Sequence, residues 1–231
     1  MKRFIFALNI LMVISLLMAA CVPQTDIEEK ATEIPPTATS PVVKTQIEPI
    51  EEDVLYLNLI WHQHQPLYYK NDEGVYTRPW VRVHATKDYY DMVSILEQYP
   101  DVHITYNLTP VLIKQLEDFV NNDAIDLYWK YSLTPASELT NDEKDFILRR
   151  FFDANWDNII ARFPRYQELL NKRGGASDEE IQKAISDFSN EDFRDLQIWF
   201  NLAWIDPDFL EKEPLSVLLQ KQRNLDRKRV V

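Results

Sequence analysis

Two short runs, 54–61 and 102–108, are rich in leucine, isoleucine, aromatic and β-branched residues, have strand length, and give way abruptly to polar side chains. Both predict strands. Between them Tyr89, Met92, Val93 and Leu96 recur at helical spacing and predict a helix over 85–99, with those four residues on its core face. Strand, loop, helix and strand in this order form a βαβ unit, so the two strands are expected to be parallel, adjacent and buried, with both carboxyl ends at one cleft. Beyond Pro110 the period is helical. Helices are predicted over 111–122, 141–154, 178–188 and 191–204, and Thr140-x-x-Glu143 and Ser177-x-x-Glu180 read as capping boxes. Pro110 suits a first helical turn with Thr109 as its cap, and Gly174-Gly175 marks a turn between two helices. Asp206 and Asp208 flank Pro207 and read as caps of the next helix. No further strand follows the first two, so residues 111–231 read as a large helical insertion in an α/β fold, with Phe151, Phe152, Trp156, Trp199, Phe200 and Trp204 mostly in its core.

The amino-terminal pattern is different. Met1-Lys2-Arg3, an apolar run from Phe4 to Met18 and then Ala19-Ala20-Cys21 describe an export signal, because a spanning helix needs about 20 apolar residues and this run is shorter. Residues 1–20 read as a lipoprotein-type signal peptide and Cys21 as the lipidated residue, which would place the mature protein on the outer face of a bacterial cell membrane. The chain has no other cysteine, so a mature form can make no intrachain disulfide. Residues 21–53 carry prolines, threonines and glutamates, have no Leu, Phe, Tyr or Trp, and cannot bury enough apolar surface to offset the entropy of ordering; they read as a disordered tether. From Val54 the composition becomes that of a folded domain.

A formal net charge of −12 argues against nucleic-acid binding, which wants a basic face, and fits a neutral partner. Candidate chemistry sits at the carboxyl end of the first strand, in Trp61-His-Gln-His-Gln-Pro66. His62 and His64 are two apart, so on an extended backbone both imidazoles point to the same side, and Pro66 ends the strand. Asn107 closes the second strand and faces the same cleft. In the following loop Tyr68, Tyr69, Tyr76 and Trp80 offer faces on which sugar rings stack, with Trp80 flanked by Arg78 and Arg82. His103 lies at the other end of its strand and reads as structural.

Three separated motifs carry a resemblance. Trp61-His-Gln-His-Gln-Pro66, then Arg78-Pro-Trp-Val-Arg-Val-His-Ala-Thr-Lys-Asp-Tyr-Tyr-Asp-Met92, then Thr105-Tyr-Asn-Leu-Thr-Pro110, in order, resemble the amino-terminal part of a family-57 glycoside hydrolase. The segment 196–207 is similar to a stretch of that family's longer amylase-type members. The resemblance implies that residues 54–231 are the amino-terminal portion of an incomplete (β/α)7 TIM-like barrel, with residues 54–110 as its first two strands. It also implies carbohydrate metabolism as the setting, retaining hydrolysis or transfer at α-1,4 or α-1,6 bonds as the chemistry, and an α-glucan or maltooligosaccharide as the partner. His62, His64, Gln65, Trp80, His84 and Asn107 are then expected to bind substrate. The nucleophile Glu and acid Asp of the family lie on later strands and are expected beyond Val231, which leaves no catalytic residue in this chain. It would then be a truncated and, alone, inactive part. No metal or cofactor is called for.

Two other readings use the same residues. A lipid-anchored oligosaccharide-binding protein would need the aromatic loop and no carboxylate pair. A metal-dependent hydrolase would place one ion on His62 and His64 but requires further ligands, and only His84 and His103 remain among the histidines. The stretch 220–231, basic and without a capping signal or closing strand, reads as a helix cut off midway or as out-of-frame residues after a truncation.

Overall fold

The computed structural model describes residues 55–223. The expected signal peptide 1–20, Cys21, the tether and the tail 224–231 lie outside the described residues.

Strand β1 (Leu59–Gln63) pairs in parallel with strand β2 (Ile104–Leu108), Leu59 opposite Ile104 and His62 opposite Asn107. Order and sense agree with the expected βαβ unit. Burial does not. Gln63 is the buried residue of β1, while Ile60 and Leu108 are 58% and 48% exposed. The reason is width: a pair of strands presents two faces and two edges, and the described helices leave these side chains in solvent.

Instead of one helix over 85–99, the crossover holds α1 (Trp80–Ala85), α2 (Asp88–Ser94) and a 3₁₀ turn (Ile95–Gln98). The break falls at Thr86. Its carbonyl, free to accept the next helical bond, accepts instead from the Asp206 N–H at 3.0 Å, and its hydroxyl donates to the Trp204 carbonyl at 2.9 Å. Helix α2 buries none of its residues: Tyr89 and Met92 are half-buried and Val93 is exposed, and Leu96 in the following turn is half-buried. Their assignment to the core is therefore corrected. Met92 meets the open sheet instead, where the Gln63 amide reaches its Sδ at 3.3 Å and the Tyr106 hydroxyl donates to its carbonyl at 2.6 Å.

Helix α3 (Pro110–Asn121) begins with proline as expected. Thr109 does not cap it with its side chain. Its carbonyl accepts from the N–H of Leu112 and Ile113 at 3.0 and 3.1 Å, and its buried hydroxyl has no partner among the described residues.

The helical body follows as α4 (Leu127–Leu133), α5 (Asn141–Arg150), α6 (Pro164–Arg173), α7 (Asp178–Asp187), α8 (Asn190–Ala203), α9 (Pro207–Leu210) and α10 (Leu215–Lys221). Both expected capping boxes form, Thr140 with Glu143 and Ser177 with Glu180, and Ser189 with Asp192 makes a third. Asp206 caps α9 by accepting from the Asp208 N–H at 2.9 Å. Helix α8 is buried on nearly every side, leaving only Asn190, Glu191 and Arg194 less enclosed; its seven apolar residues pack in the core, and its buried polar ones are paired, Asp192 and Asp195 with Arg165, Gln197 with the Tyr131 and Thr134 carbonyls and Asn201 with Ser132. Trp199, Phe200, Tyr128, Phe151, Tyr166 and Phe193 are fully enclosed in this core, and of the six aromatics expected there Trp156, 52% exposed, stays outside. Arg82 of α1 ties this body to the sheet side: it bonds Asp126 Oδ2 at 2.5 Å and Asn201 Oδ1 at 3.1 Å, while Asp126 caps α4. Among the described residues no helix is long and apolar enough to cross a membrane.

Candidate functional site

The register of the sheet creates the centre of the site. His62 and Asn107 are directly paired positions, so their side chains leave the same face, and His62 Nδ1 lies 2.7 Å from Asn107 Oδ1. An amide oxygen can only accept, so Nδ1 donates in this bond and the Nε2 edge of the ring is the one turned to a ligand. The His64 ring stacks over His62 with centroids 5.8 Å apart and planes within 10°. Both histidines and Asn107 are exposed, at the carboxyl ends of parallel strands.

Gln65 belongs to a second group. Its amide N–H donates to the Tyr89 hydroxyl at 3.1 Å, and its carbonyl oxygen accepts from the Tyr68 hydroxyl at 2.7 Å. Burial, and then each other's proximity, raise the Tyr68 phenol above its ordinary value; burial also raises Tyr89, so both remain protonated donors at neutral pH. From Tyr89 the group continues to His84, whose ring lies 6.1 Å away and whose Nδ1 is held by Asp88 Oδ2 one turn on. His84 stacks edge-on against Trp204 at 5.2 Å and lies 6.2 Å from Trp80.

The six candidate residues thus form two neighbouring sets, His62, His64 and Asn107 in one and Gln65, His84 and Trp80 in the other, joined through the backbone between His64 and Gln65. Trp80 is half-buried, packing against Tyr128 and Trp204, and so forms a wall rather than a free platform. Arg82, expected to flank it toward a ligand, is instead committed to Asp126 and Asn201 and lies 5.1 Å over the Trp129 ring. Tyr89 and Asp88 were missed. Tyr89 sits at core-like helical spacing, and nothing local in the sequence distinguishes a helix face that meets a site from one that meets a core.

No three His, Cys, Asp or Glu side chains among the described residues converge to hold a metal ion. The cluster can donate and accept hydrogen bonds to a polar, uncharged ligand and offers ring faces beside them. Residues 58–230 match the family model described as glycosyl hydrolase family 57. No curated protein and no solved structure matches the chain.

Proposed function

The chain belongs to glycosyl hydrolase family 57, and we propose that its strand-end cluster binds the sugar in an enzyme that hydrolyses or transfers α-glucans. The observation that carries this reading is the 2.7 Å hydrogen bond from His62 to Asn107 between paired positions at the carboxyl ends of two parallel strands. Ligand sites of parallel α/β folds lie at such ends. In this assignment His62 Nε2 accepts from a sugar hydroxyl and the stacked His64 extends the same surface. Gln65, fixed at both ends of its amide by Tyr68 and Tyr89, sets the orientation of the loop, and His84 and Trp80 close one side.

The sheet and crossover are read as the opening of the family's incomplete (β/α)7 barrel, with the helices after β2 as an insertion. The nucleophile glutamate and acid aspartate, about 5 Å apart in a retaining enzyme, are assigned to later strands of that barrel, so residues 55–223 bind and orient glucan rather than cleave it. Cleavage of α-1,4 or α-1,6 bonds, export, and attachment to the membrane through a lipid on Cys21 belong to the same proposal.

Calorimetric titration of maltoheptaose into the full chain tests it. Binding is expected, and either His62→Ala or Asn107→Ala should weaken the strand-end site about tenfold or more, the scale of one or two hydrogen bonds to a ligand. If both variants titrate as the parent does, the strand-end cluster is not the sugar site.

A further inference from the structure

A second recess lies on the same loop and uses none of the strand-end residues. Helix α3 presents Lys114, Glu117, Asp118 and Asn121 at intervals of three and four, which places them along one face, and its C-terminal cap Asn122 continues that face. Such a polar stripe ordinarily faces open water. Here the loop after β1 folds over it. Tyr68 N–H donates to Gln115 Oε1 at 2.9 Å and Gln115 Nε2 donates to the Pro66 carbonyl at 3.0 Å, which pins the start of the loop to α3. Its far end is held where Tyr76 N–H donates to the Ile125 carbonyl at 2.9 Å. Between these anchors Tyr68, Tyr69, Lys70 and Tyr76 wall a cleft of about 620 Å³ against the helix, inside the range of roughly 300–1,000 Å³ usual for small-ligand sites.

The chemistry of the cleft selects its ligand. At its base Asp118 accepts from the Tyr76 hydroxyl at 2.8 Å and from Asn122 at 3.0 Å, and is paired with Lys70 at 2.6 Å. Those bonds, Lys70 foremost, hold its carboxyl down to about 2, while burial and Asp118 push the Tyr76 phenol up to about 12. Lys70 and Lys114 balance Glu117 and Asp118, so the cleft has no net charge. A phosphate or nucleic acid would want uncompensated cations, and a free cation would want an unpaired carboxylate cluster. Lys114, Glu117 and Asn121 are exposed and have no side-chain hydrogen-bond partner among the described residues, which leaves donors and acceptors of both kinds for a neutral polar molecule. Beside them the Tyr69 ring is 74% exposed, on backbone fixed by the N–H and hydroxyl of Thr77 at 3.1 and 3.2 Å. An exposed ring on an anchored backbone, over a balanced polar floor, is a stacking platform for a sugar.

We propose that the cleft between the 68–76 loop and α3 is a second oligosaccharide-binding site, taking a neutral α-glucan segment on Tyr69 with Asn121, Glu117 and Lys114 on its hydroxyls. The choice of α-glucan rests on the reading of the strand-end cluster above. Tyr68 connects the two, since its hydroxyl bonds Gln65 while its ring lines the cleft.

The test is maltoheptaose titrated into the full chain and into the variants Tyr69→Ala, Asn121→Ala and His62→Ala, with circular dichroism on each. Tyr69 and Asn121 are exposed, so their replacement leaves the fold intact. The expected result is two sites in the parent, with one lost or weakened about tenfold by either cleft substitution and the other by His62→Ala. Loss of binding in the cleft variants with none in His62→Ala would support the cleft and sink the strand-end reading. Cleft variants that bind as the parent does, with His62→Ala impaired, would overturn the cleft and leave that reading standing. Absence of binding in the parent would overturn both.

Discussion

Arg165, 5% exposed, holds three carboxylates: Asp195 at 3.0 Å, Asp192 at 2.6 Å and Glu168 at 2.8 Å. A charge so enclosed must be paired, and the pairing links α6 to α8 inside the helical body. Asp192 also meets Lys172 at 2.7 Å and accepts from the Ser189 N–H. Burial pushes its carboxyl up, but Lys172, the Ser189 N–H and Arg165 together outweigh that and bring it from 3.8 down to about 2. A depressed carboxylate binds fewer protons folded than unfolded, so its contribution, about 2 kcal/mol, is complete above the unfolded value and disappears as pH falls toward the folded one. Urea unfolding of the full chain is therefore expected to show stability falling between about pH 4 and pH 2, and Asp192→Asn should flatten that fall. An equal slope in the variant would remove Asp192 from the account. At this scale the sequence was only partly informative. His62 and Asn107 could be placed at one cleft from their positions at strand ends, because period and order determine that. The Gln65–Tyr89 and His84–Asp88 bonds could not, because they depend on which way α2 turns after the break at Thr86.

Helices that carry their own start signals were legible as elements. Thr140 and Ser177 with glutamate three residues on, and Pro110 at a first turn, mark their helices whatever surrounds them. Helix α6 lies outside the helices expected from the sequence: Pro164 opens it and Tyr166, Leu169 and Leu170 repeat at helical spacing, but no side chain caps its start. The split of the crossover into α1 and α2 was not legible, since it is made by Trp204 and Asp206, far along the chain. Burial of the strands was not legible either: an apolar run shows what a strand can bury, not what is present to cover it. The contrast between elements has a kinetic consequence. Amides of β1 and β2, in an open ribbon, are expected to exchange with deuterium much faster than those of α8, which the core encloses. Equal protection of the ribbon and α8 in the full chain would show that something covers the sheet.

For the molecule as a whole, a helical body with its own enclosed aromatic core carries, on one side, a small parallel sheet whose carboxyl ends present His62, His64 and Asn107. The α/β class, the parallel pair and the helix-rich second part were legible in the order of patterns along the chain, and membership of glycosyl hydrolase family 57 agrees with the motifs that bracket the site. Rigid placement by the core and exposure by the sheet suit a binding surface, and under the proposed function the two histidines of that surface meet sugar. The chain has four histidines, at 62, 64, 84 and 103. His103 precedes β2 and lies about 13 Å along the strand from Asn107, so it serves as an internal control. The decisive measurement is nuclear magnetic resonance of the full chain, isotopically labelled at histidine, during titration with maltoheptaose. The imidazole signals of His62 and His64 are predicted to shift together and saturate, that of His84 to shift less, and that of His103 to stay. Signals of His62 and His64 that stay fixed at saturating maltoheptaose would contradict the account.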